Sequence, residues 1–358
     1  MTPTVVGDAD PEEVLAALDG TGPVAVVDHR RPVPAAVQAA LAEVPEAWLV
    51  AFTSGSTARP RGVWRTRESW SASVEPLARL ARGSRVLVPG PLHSTLYLHA
   101  AWHARQVGAR PVVGRLDTEG WDVAHVVPRQ LERLLASATP LAGRTVVVSG
   151  AALPAGLAER AVQAGAHLVA YYGAAELSFV AVGVDGGPLR PFPGAQVVAR
   201  DGVLWVRSPY LAGGYLPADA TPGPLQQEGG WATVGDRGEV VDGTVVVHGR
   251  AGRAVQTGGV TVHVADVEAV LREAPGVLDV VVLGTPHPDL VEVVTAVVEA
   301  VDPALTRTAL RAWCAQRLPP EHRPRRWVVT AALPRTAVGK ADRAAVADRL
   351  ARRPSIDG

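Results

Sequence analysis

The stretch Thr53-Ser54-Gly55-Ser56-Thr57-Ala58-Arg59-Pro60-Arg61-Gly62 concentrates hydroxyls, glycines and two guanidinium groups directly after the strand-like run Ala47 to Phe52. Hydroxyls and exposed backbone N–H groups following a strand make a cradle for phosphate, and Arg61 adds charge to it. The spacing from Gly55 to Gly62 is not that of a Walker A loop, and no Gly-Lys-Ser/Thr follows. Alone, a Ser/Thr/Gly cluster of this kind is more often an ordinary loop. Tyr171-Tyr172-Gly173-Ala174-Ala175-Glu176 stands at another strand end. An aromatic ring beside glycine gives a flat face with close backbone access, suited to stacking a purine. Glu176, a hard oxygen donor, can hold Mg2+. Its bland counterpart is a core tyrosine and a solvated glutamate. In Gly235-Asp236 a carboxylate in a tight turn can accept two ribose hydroxyls. Gly249-Arg250 is followed by Thr257-Gly258-Gly259, and Pro334 to Arg343 is a turn-rich loop that presents Lys340.

Lys340 is the only lysine among 35 basic residues, and there is one isoleucine and no asparagine. Lysine, asparagine and isoleucine have AT-rich codons, so the composition fits drift toward Arg, Asp and Val. Under that drift, positions needing only a positive charge become arginine. The surviving lysine is a candidate for a place where a compact ammonium does what a planar guanidinium cannot, the alternative being chance survival.

These residues must be positioned by the elements around them. In the first half, strand-like runs (Arg85 to Val88, Arg110 to Val113, Val123 to Val127, Thr145 to Val148, His167 to Tyr171) alternate with amphipathic stretches such as Arg129 to Ala136 and Ala155 to Ala164. Alternation of this kind predicts an α/β domain with a largely parallel sheet. From Gln196 the pattern changes to short strands, with Asp201-Gly202 and Asp242-Gly243 as two-residue hairpin signals. After Gly249 an α+β pattern follows, with helices near Ala265 to Glu273 and Ala304 to Arg317. Its strands are expected near Val277 to Leu283, Val291 to Val298 and Trp327 to Thr330. The expected organisation is a large α/β domain over 1–249 with parallel sheets and a small antiparallel β part, a hinge at 250–252, and a small α+β domain over 253–358.

Composition excludes several classes. At 358 residues, 47% hydrophobic and 20% charged, the chain can bury a core and is not globally disordered. Its 35 acidic residues balance the basic ones, which argues against a nucleic-acid binder. Cys314 stands alone, so no disulfide framework or multi-thiolate metal site forms within one chain. No basic stretch followed by an apolar one opens the sequence, and no run approaches ~20 apolar residues, so a cytoplasmic protein with no membrane span is expected.

In this order, the segments resemble the adenylate-forming superfamily of acyl-CoA synthetases, carrier-loading adenylation domains and luciferases. Thr53 to Gly62 is similar to the family's Thr-Ser-Gly-Ser-Thr-Gly-x-Pro-Lys-Gly loop, Tyr172 to Glu176 to its Tyr-Gly-x-Thr-Glu, and Gly235-Asp236 to its Thr-Gly-Asp. Gly249 to Glu268 resembles the hinge and the Gly-Gly turn after it, and Pro334 to Lys340 the catalytic-lysine loop. Ser149-Gly150-Ala151-Ala152-Leu153-Pro154 is similar to the adenine-flanking turn, and Pro91-Leu92-His93 to the substrate-side histidine motif.

The resemblance implies that a carboxylate attacks the α-phosphate of Mg·ATP, after which the small domain rotates and a thiol, that of CoA, displaces AMP. Lys340 would bridge carboxylate and α-phosphate, Glu176 would hold Mg2+, and Thr53, Ser54, Gly55, Ser56, Thr57 and Arg61 would bind phosphates. Gly150, Ala151 and Ala152 on one side, and Tyr171, Tyr172, Gly173, Ala174 and Ala175 on the other, would enclose adenine. Asp236 and Arg250 would bind ribose, Gly258 and Gly259 would let pantetheine pass, and His93 would face the acyl pocket. Four residues depart from the pattern: Ala58 for Gly, Arg61 for Lys, Ala175 for Thr, and Gly252 for a charged hinge residue. The loop also begins at Thr53 where the family usually has well over a hundred residues before it, so a truncated first subdomain is expected. Sheet edges left uncovered by that truncation would favour a homodimer. Two alternatives stay open: an acceptor other than CoA (a carrier-protein thiol, an amine or an inorganic nucleophile), or nucleotide binding without turnover.

Overall fold

Three parallel strands open the chain. They are β1 (Thr4–Gly7), β2 (Val24–Val27) and β3 (Leu49–Thr53), connected through α1 (Pro11–Asp19) and α2 (Ala35–Ala42). The computed structural model describes residues 4–30, 35–53, 61–137, 139–216, 224–250, 254–257, 260–287, 289–301, 305–337 and 339–352. Helix α1 starts where it does because Asp10 accepts the N–H groups of Glu12 and Glu13 at 2.9 and 3.4 Å, with Pro11 following the cap. Its buried face is Val14, Leu15 and Leu18. Strand β4 (Arg61–Arg65) returns antiparallel to β3, with Thr53 opposite Arg61.

The second sheet follows α3 (Arg67–Ser71) and α4 (Val74–Leu80). Its elements are β5 (Arg85–Val88), α5 (Thr95–Gln106), β6 (Arg110–Val113), β7 (Val123–Val126), α6 (Pro128–Ala136), β8 (Thr145–Val148), α7 (Ala155–Gln163), β9 (His167–Ala174), β10 (Ser178–Val184) and the two-residue β11 (Arg190–Pro191). The order is β11-β10-β9-β8-β7-β5-β6, with β6, β5, β7, β8 and β9 parallel. Strands β7 and β8 are buried along their whole length, as parallel strands covered on both faces are. The chain leaves β5 outward to β6 and then runs inward from β7, so the direction of winding reverses beside β5. In open α/β sheets that reversal is where ligands bind, outside the carboxyl ends of the strands.

Helix α5 packs its buried side chains into an aromatic core in which Trp48, Trp70 and Trp102 lie with ring centroids 5.4 to 5.7 Å apart. Three histidines are buried here or next to it. His99 sits edge-on to Trp70 at 4.9 Å with its Nε2 2.9 Å from Ser73 Oγ, His103 donates to the Val74 carbonyl at 3.0 Å, and His125 occupies β7. Burial holds all three neutral, His99 well below the ordinary range and His125 down to about 3, each further disfavoured as a cation by a neighbouring histidine in the case of His99 and His125. The unfolded chain binds protons that the folded one refuses, so this contribution to stability is complete above the unfolded value near 6.5 and is lost as pH falls below it. Each site adds up to ~1.4 kcal/mol per pH unit in that window. Urea unfolding at pH 7 and at pH 5 is expected to show a markedly lower midpoint at pH 5, and equal midpoints would refute it.

The antiparallel part contains β12 (Gln196–Arg200) and β13 (Val203–Arg207), joined at Asp201 and Gly202 with φ of 50° and 72°. This is the hairpin turn the Asp-Gly pair predicts. Strand β14 (Gly214–Tyr215) adds to β4 on the first sheet, and β15 (Gln226–Glu228) pairs with β16 (Trp231–Thr233). The hairpin of β17 (Asp236–Val241) and β18 (Thr244–Arg250) turns at Asp242-Gly243, again with both φ positive at 49° and 73°.

By its contacts the chain forms two units. The first comprises residues up to Gly235 with Glu239–Val246, and the second Asp236–Gly238 with Val247 onward. Of the expected hinge, Ala251 and Gly252 lie outside the described residues.

The second unit contains β19 (Ala254–Thr257), β20 (Val260–His263), α8 (Val264–Arg272), β21 (Val277–His287), β22 (Val291–Ala300), α9 (Arg307–Ala315), a 3-10 turn (Pro320–His322), β23 (Arg326–Thr330) and α10 (Arg343–Ala351). The long antiparallel pair β21–β22 is its spine, with β23 parallel to β22 and β19 on the same sheet. Val267, Leu271, Val282, Val294, Leu310 and Trp327 fill the core between the sheet and helices α8 and α9. Cys314 belongs to that core, where burial pushes its thiol up to about 11, so it is a packing residue and no nucleophile. No helix among the described residues is long and apolar enough to cross a membrane.

Candidate functional site

The first unit brings most of the expected residues to one end, the carboxyl ends of the parallel strands in its two mixed sheets. Strand β3 ends at Thr53 and β4 begins at Arg61, so the hydroxyl-rich loop springs from the end of the first sheet. Ser54, Gly55, Ser56 and Thr57 lie outside the described residues, as do Ala58 and the side chain of Thr53. Arg61 is partly buried at the foot of β4.

On the second sheet, β8 runs into Ser149 and then Gly150, whose φ of 88° suits a residue without Cβ. Ala151 and Ala152 follow, both exposed. Beside them β9 carries Tyr171 and Tyr172. Burial raises the Tyr171 phenol to about 12 against the effect of its hydrogen bond with Ser149, and its ring lies 4.7 Å from that of Phe179. Strand β9 turns back into β10 through Ala174, Ala175, Glu176 and Leu177, pairing Ala174 with Ser178. The turn is pinched: a Cβ on Gly173 would lie 1.9 Å from the Ser178 carbonyl oxygen, and Ser178 itself has φ of 55°. Only glycine fits at position 173.

Glu176 is 4% exposed. The Tyr215 hydroxyl donates to its Oε1 at 2.7 Å, and the Ala212 N–H donates to its carbonyl at 2.8 Å. Beneath the turn lies Arg65, fully buried, whose guanidinium donates to the Tyr210 carbonyl at 2.7 Å and to the Ala175 carbonyl. Burial lowers Arg65 to about 10, partly offset by the negative charge of Glu176. Burial and the same carboxylate push the Tyr215 phenol well up. Tyr215 therefore holds the carboxylate directly, while Arg65 ties the backbone of the turn at Ala175 to that of Tyr210. Neither was expected from sequence. The available signal was Arg65 two residues after buried Val63, on the inward face of an otherwise apolar strand.

A divalent cation fits this donor set. Mg2+ keeps several waters and is usually held by one or two carboxylates with substrate phosphates. Glu176 supplies one hard, positioned carboxylate at the turn after β9, bonded by Tyr215 of the first sheet, and Ala175 contributes no hydroxyl to it.

His93 follows the carboxyl end of β5, at the winding reversal. Its Nδ1 lies 2.6 Å from Asp8 Oδ2, and Asp8 follows β1 at the carboxyl end of the first sheet. This pair joins the ends of the two sheets. Asp8 also went unseen in the sequence, where it is a single aspartate after a short apolar run.

The remaining candidates lie in the second unit. Asp236 is buried at the start of β17, after Gly235, whose φ of 76° and N–H bond to Thr233 Oγ1 at 3.0 Å form the expected tight turn. Arg250 ends β18, and its side chain, like Gly258 and Gly259, lies outside what the structure describes. Thr257 ends β19 and is buried. Lys340 sits, exposed, on a closed loop: Thr336 N–H bonds the Lys340 carbonyl at 2.8 Å, Gly339 (φ 79°) bonds the Thr336 carbonyl at 2.9 Å, and Arg335 bridges Ala341. Arg335 anchors the loop by donating to Asp279 at 2.6 Å and to the fully buried Glu299, which also accepts the Leu333 N–H at 3.1 Å. The lysine thus sits on a loop closed by backbone hydrogen bonds and tied to Asp279 and Glu299 through Arg335.

Two family comparisons match the two parts. The AMP-binding enzyme family matches residues 3–216, and the AMP-binding enzyme C-terminal domain matches residues 266–340, ending on the lysine. An uncharacterized acyl-CoA ligase of Bacillus subtilis, YhfT, is 30% identical over 330 residues, covering 82% of this chain and 67% of its own. A probable 2-succinylbenzoate–CoA ligase of Mycobacterium tuberculosis is 30% identical over 335 residues, covering 85% of this chain and 84% of its own. In fold, the chain is similar to a variant of E. coli MenE solved with bound OSB-AMS, with a TM-score of 0.80, 23% identity, and 98% of this chain and 87% of that one covered. The chain therefore belongs to the AMP-binding enzyme family.

Proposed function

We propose that this chain activates a carboxylic acid with ATP as an acyl-adenylate and passes the acyl group to the thiol of CoA. The observation that supports it most is the convergence, at the carboxyl ends of the parallel strands in two mixed sheets, of the strand bearing the phosphate loop, the Gly150 to Ala152 turn, and the braced Glu176. In the first step a carboxylate oxygen attacks the α-phosphorus and pyrophosphate leaves. Lys340 offers its ammonium to the charge that develops on the phosphate oxygens. Mg2+ at Glu176 would neutralise phosphate charge. Tyr172, the Gly150 to Ala152 turn and Asp236 take the nucleoside, the ring against adenine and the carboxylate toward ribose. In the second step the thiol sulfur attacks the acyl carbonyl carbon and AMP leaves. His93 stands on the acyl side.

ATP–pyrophosphate exchange measured over a panel of carboxylates tests the first step, and CoA consumption with each positive acid tests the second. Exchange that depends on the acid, followed by CoA loss, is the expected result. Exchange without CoA loss would move the acceptor to a carrier-protein thiol, an amine or an inorganic nucleophile. No exchange with any acid would reduce the chain to nucleotide binding.

A further inference from the structure

Asp8 is nearly buried, with a side chain 3% exposed, yet it is charged. Burial alone would raise its carboxyl, but hydrogen bonds from His29 and His93 outweigh that and hold it at about 2. The two oxygens divide their work. Oδ1 lies 2.7 Å from His29 Nδ1 and accepts the His29 backbone N–H at 3.1 Å. Oδ2 lies 2.6 Å from His93 Nδ1 and accepts the His93 backbone N–H at 3.4 Å. An ionised carboxylate can only accept, so Nδ1 of His93 must carry the hydrogen. In the neutral ring, Nε2 is then the basic atom.

The surroundings suit a proton acceptor rather than a buried structural pair. His93 keeps 14% of its side chain exposed, at the winding reversal beside β5. Asp8 also lines a cavity of about 500 Å³ with Pro89, Gly90, Gln130 and Arg133, at the carboxyl ends of β5 and β6. The other titratable groups near the pair include His29, Asp28 and Arg30, and Arg115, Asp117 and Arg133 line the same cavity as Asp8. Asp28 offers an oxygen within 4.8 Å of ligand atoms on Asp8 and His93, and it is itself bonded by Arg30 at 2.9 Å. The constellation is a base held by a carboxylate, in which the carboxylate fixes the tautomer and stabilises the cation that forms.

We propose that Asp8 is a positioning residue that fixes His93 in the Nδ1–H form, so that Nε2 of His93 removes the proton of the acceptor during acyl transfer. The proposal rests on the ligase reading above. As the S–C bond forms and the bond from the acyl carbon to the AMP oxygen breaks, the thiol proton passes to Nε2 and AMP leaves with the electron pair. Formation of the adenylate involves no such proton.

The test uses the full chain, with an acid that supports exchange and with CoA as the acceptor. Asp8→Asn is expected to leave ATP–pyrophosphate exchange within about two-fold of wild type. It should lower kcat of acyl transfer at pH 7 about 10²-fold, within the usual contribution of a positioned base. The deficit should disappear near pH 9.5, where the thiol (ordinary value about 8.5) is already ionised and no base is required. His93→Gln, measured with acid saturating and judged only on the transfer step, should show the same pH-dependent loss, which keeps the question answerable if Asp8→Asn does not fold. A transfer deficit that persists at pH 9.5, or equal loss of both half-reactions, overturns the base assignment. Absence of exchange in the wild-type chain with any acid overturns the ligase reading instead, and the two failures are told apart by that control.

Discussion

Lys340→Ala is expected to lower acid-dependent ATP–pyrophosphate exchange by about 10²–10³, equivalent to ~3–4 kcal/mol of lost transition-state stabilisation. ATP binding, followed by equilibrium titration, should change far less, because in the proposed reaction the ammonium acts on charge that develops only as the α-phosphorus is attacked. The loop supporting the lysine is closed by its own backbone bonds from Thr336, Gly339 and Asp342, so truncating the exposed side chain leaves the fold intact. Lys340→Arg should also be impaired, since a broad fork does not replace a compact point charge at one position. Exchange near the wild-type rate in Lys340→Ala would remove the lysine from the first step.

Arg335→Ala should be the more damaging change to stability. Glu299 is fully buried and accepts from Arg335 and from the Leu333 N–H, and Arg335 has a second branch to Asp279 at 2.6 Å. Removing one partner of a buried pair leaves an uncompensated charge, at a cost of about 3–5 kcal/mol. That is a large share of the 5–15 kcal/mol typical of a domain. Urea unfolding should therefore show an early transition of the second unit, and exchange should fall with it because Lys340 lies five residues along the same hairpin. The double variant Arg335→Ala with Glu299→Ala should recover a substantial part of the loss, since no orphaned charge remains. Additive losses in the double variant would show that the two residues do not act as a pair.

Part of this architecture could be read along the chain. The limits of β5, β6 and β8 coincide with the expected runs, because short apolar segments bounded by turns are what buried parallel strands require. The Asp-Gly turns behaved likewise, since two consecutive left-handed residues have a narrow sequence signature. Strands β1 and β2 were passed over: four apolar residues carry no period that separates them from the alanine-rich helices beside them. Strand β10 was hidden for another reason. The turn before it uses Ser178 in a left-handed conformation and a glycine chosen for backbone clearance at position 173, neither of which announces a hairpin. Helix α9 begins later than expected because Thr306 caps it, its Oγ1 accepting the Ala309 N–H at 3.2 Å.

The chemical groups of the proposed site are named, in order and type, by the sequence alone. A sole lysine, a glutamate after Tyr-Gly, an aspartate after glycine and a hydroxyl-rich loop are local facts, and local facts survive in a linear string. Their supports do not. Asp8 meets His93 across 85 residues, Arg65 meets the Ala175 carbonyl across 110, and Arg335 meets Glu299 across 36. Such pairs follow no helical or strand period, and in sequence each member looks like an ordinary surface charge. Their burial, their partners and hence their protonation states arise only when separate strands end side by side and water is excluded between them, which is a property of the packed sheets and of no single segment.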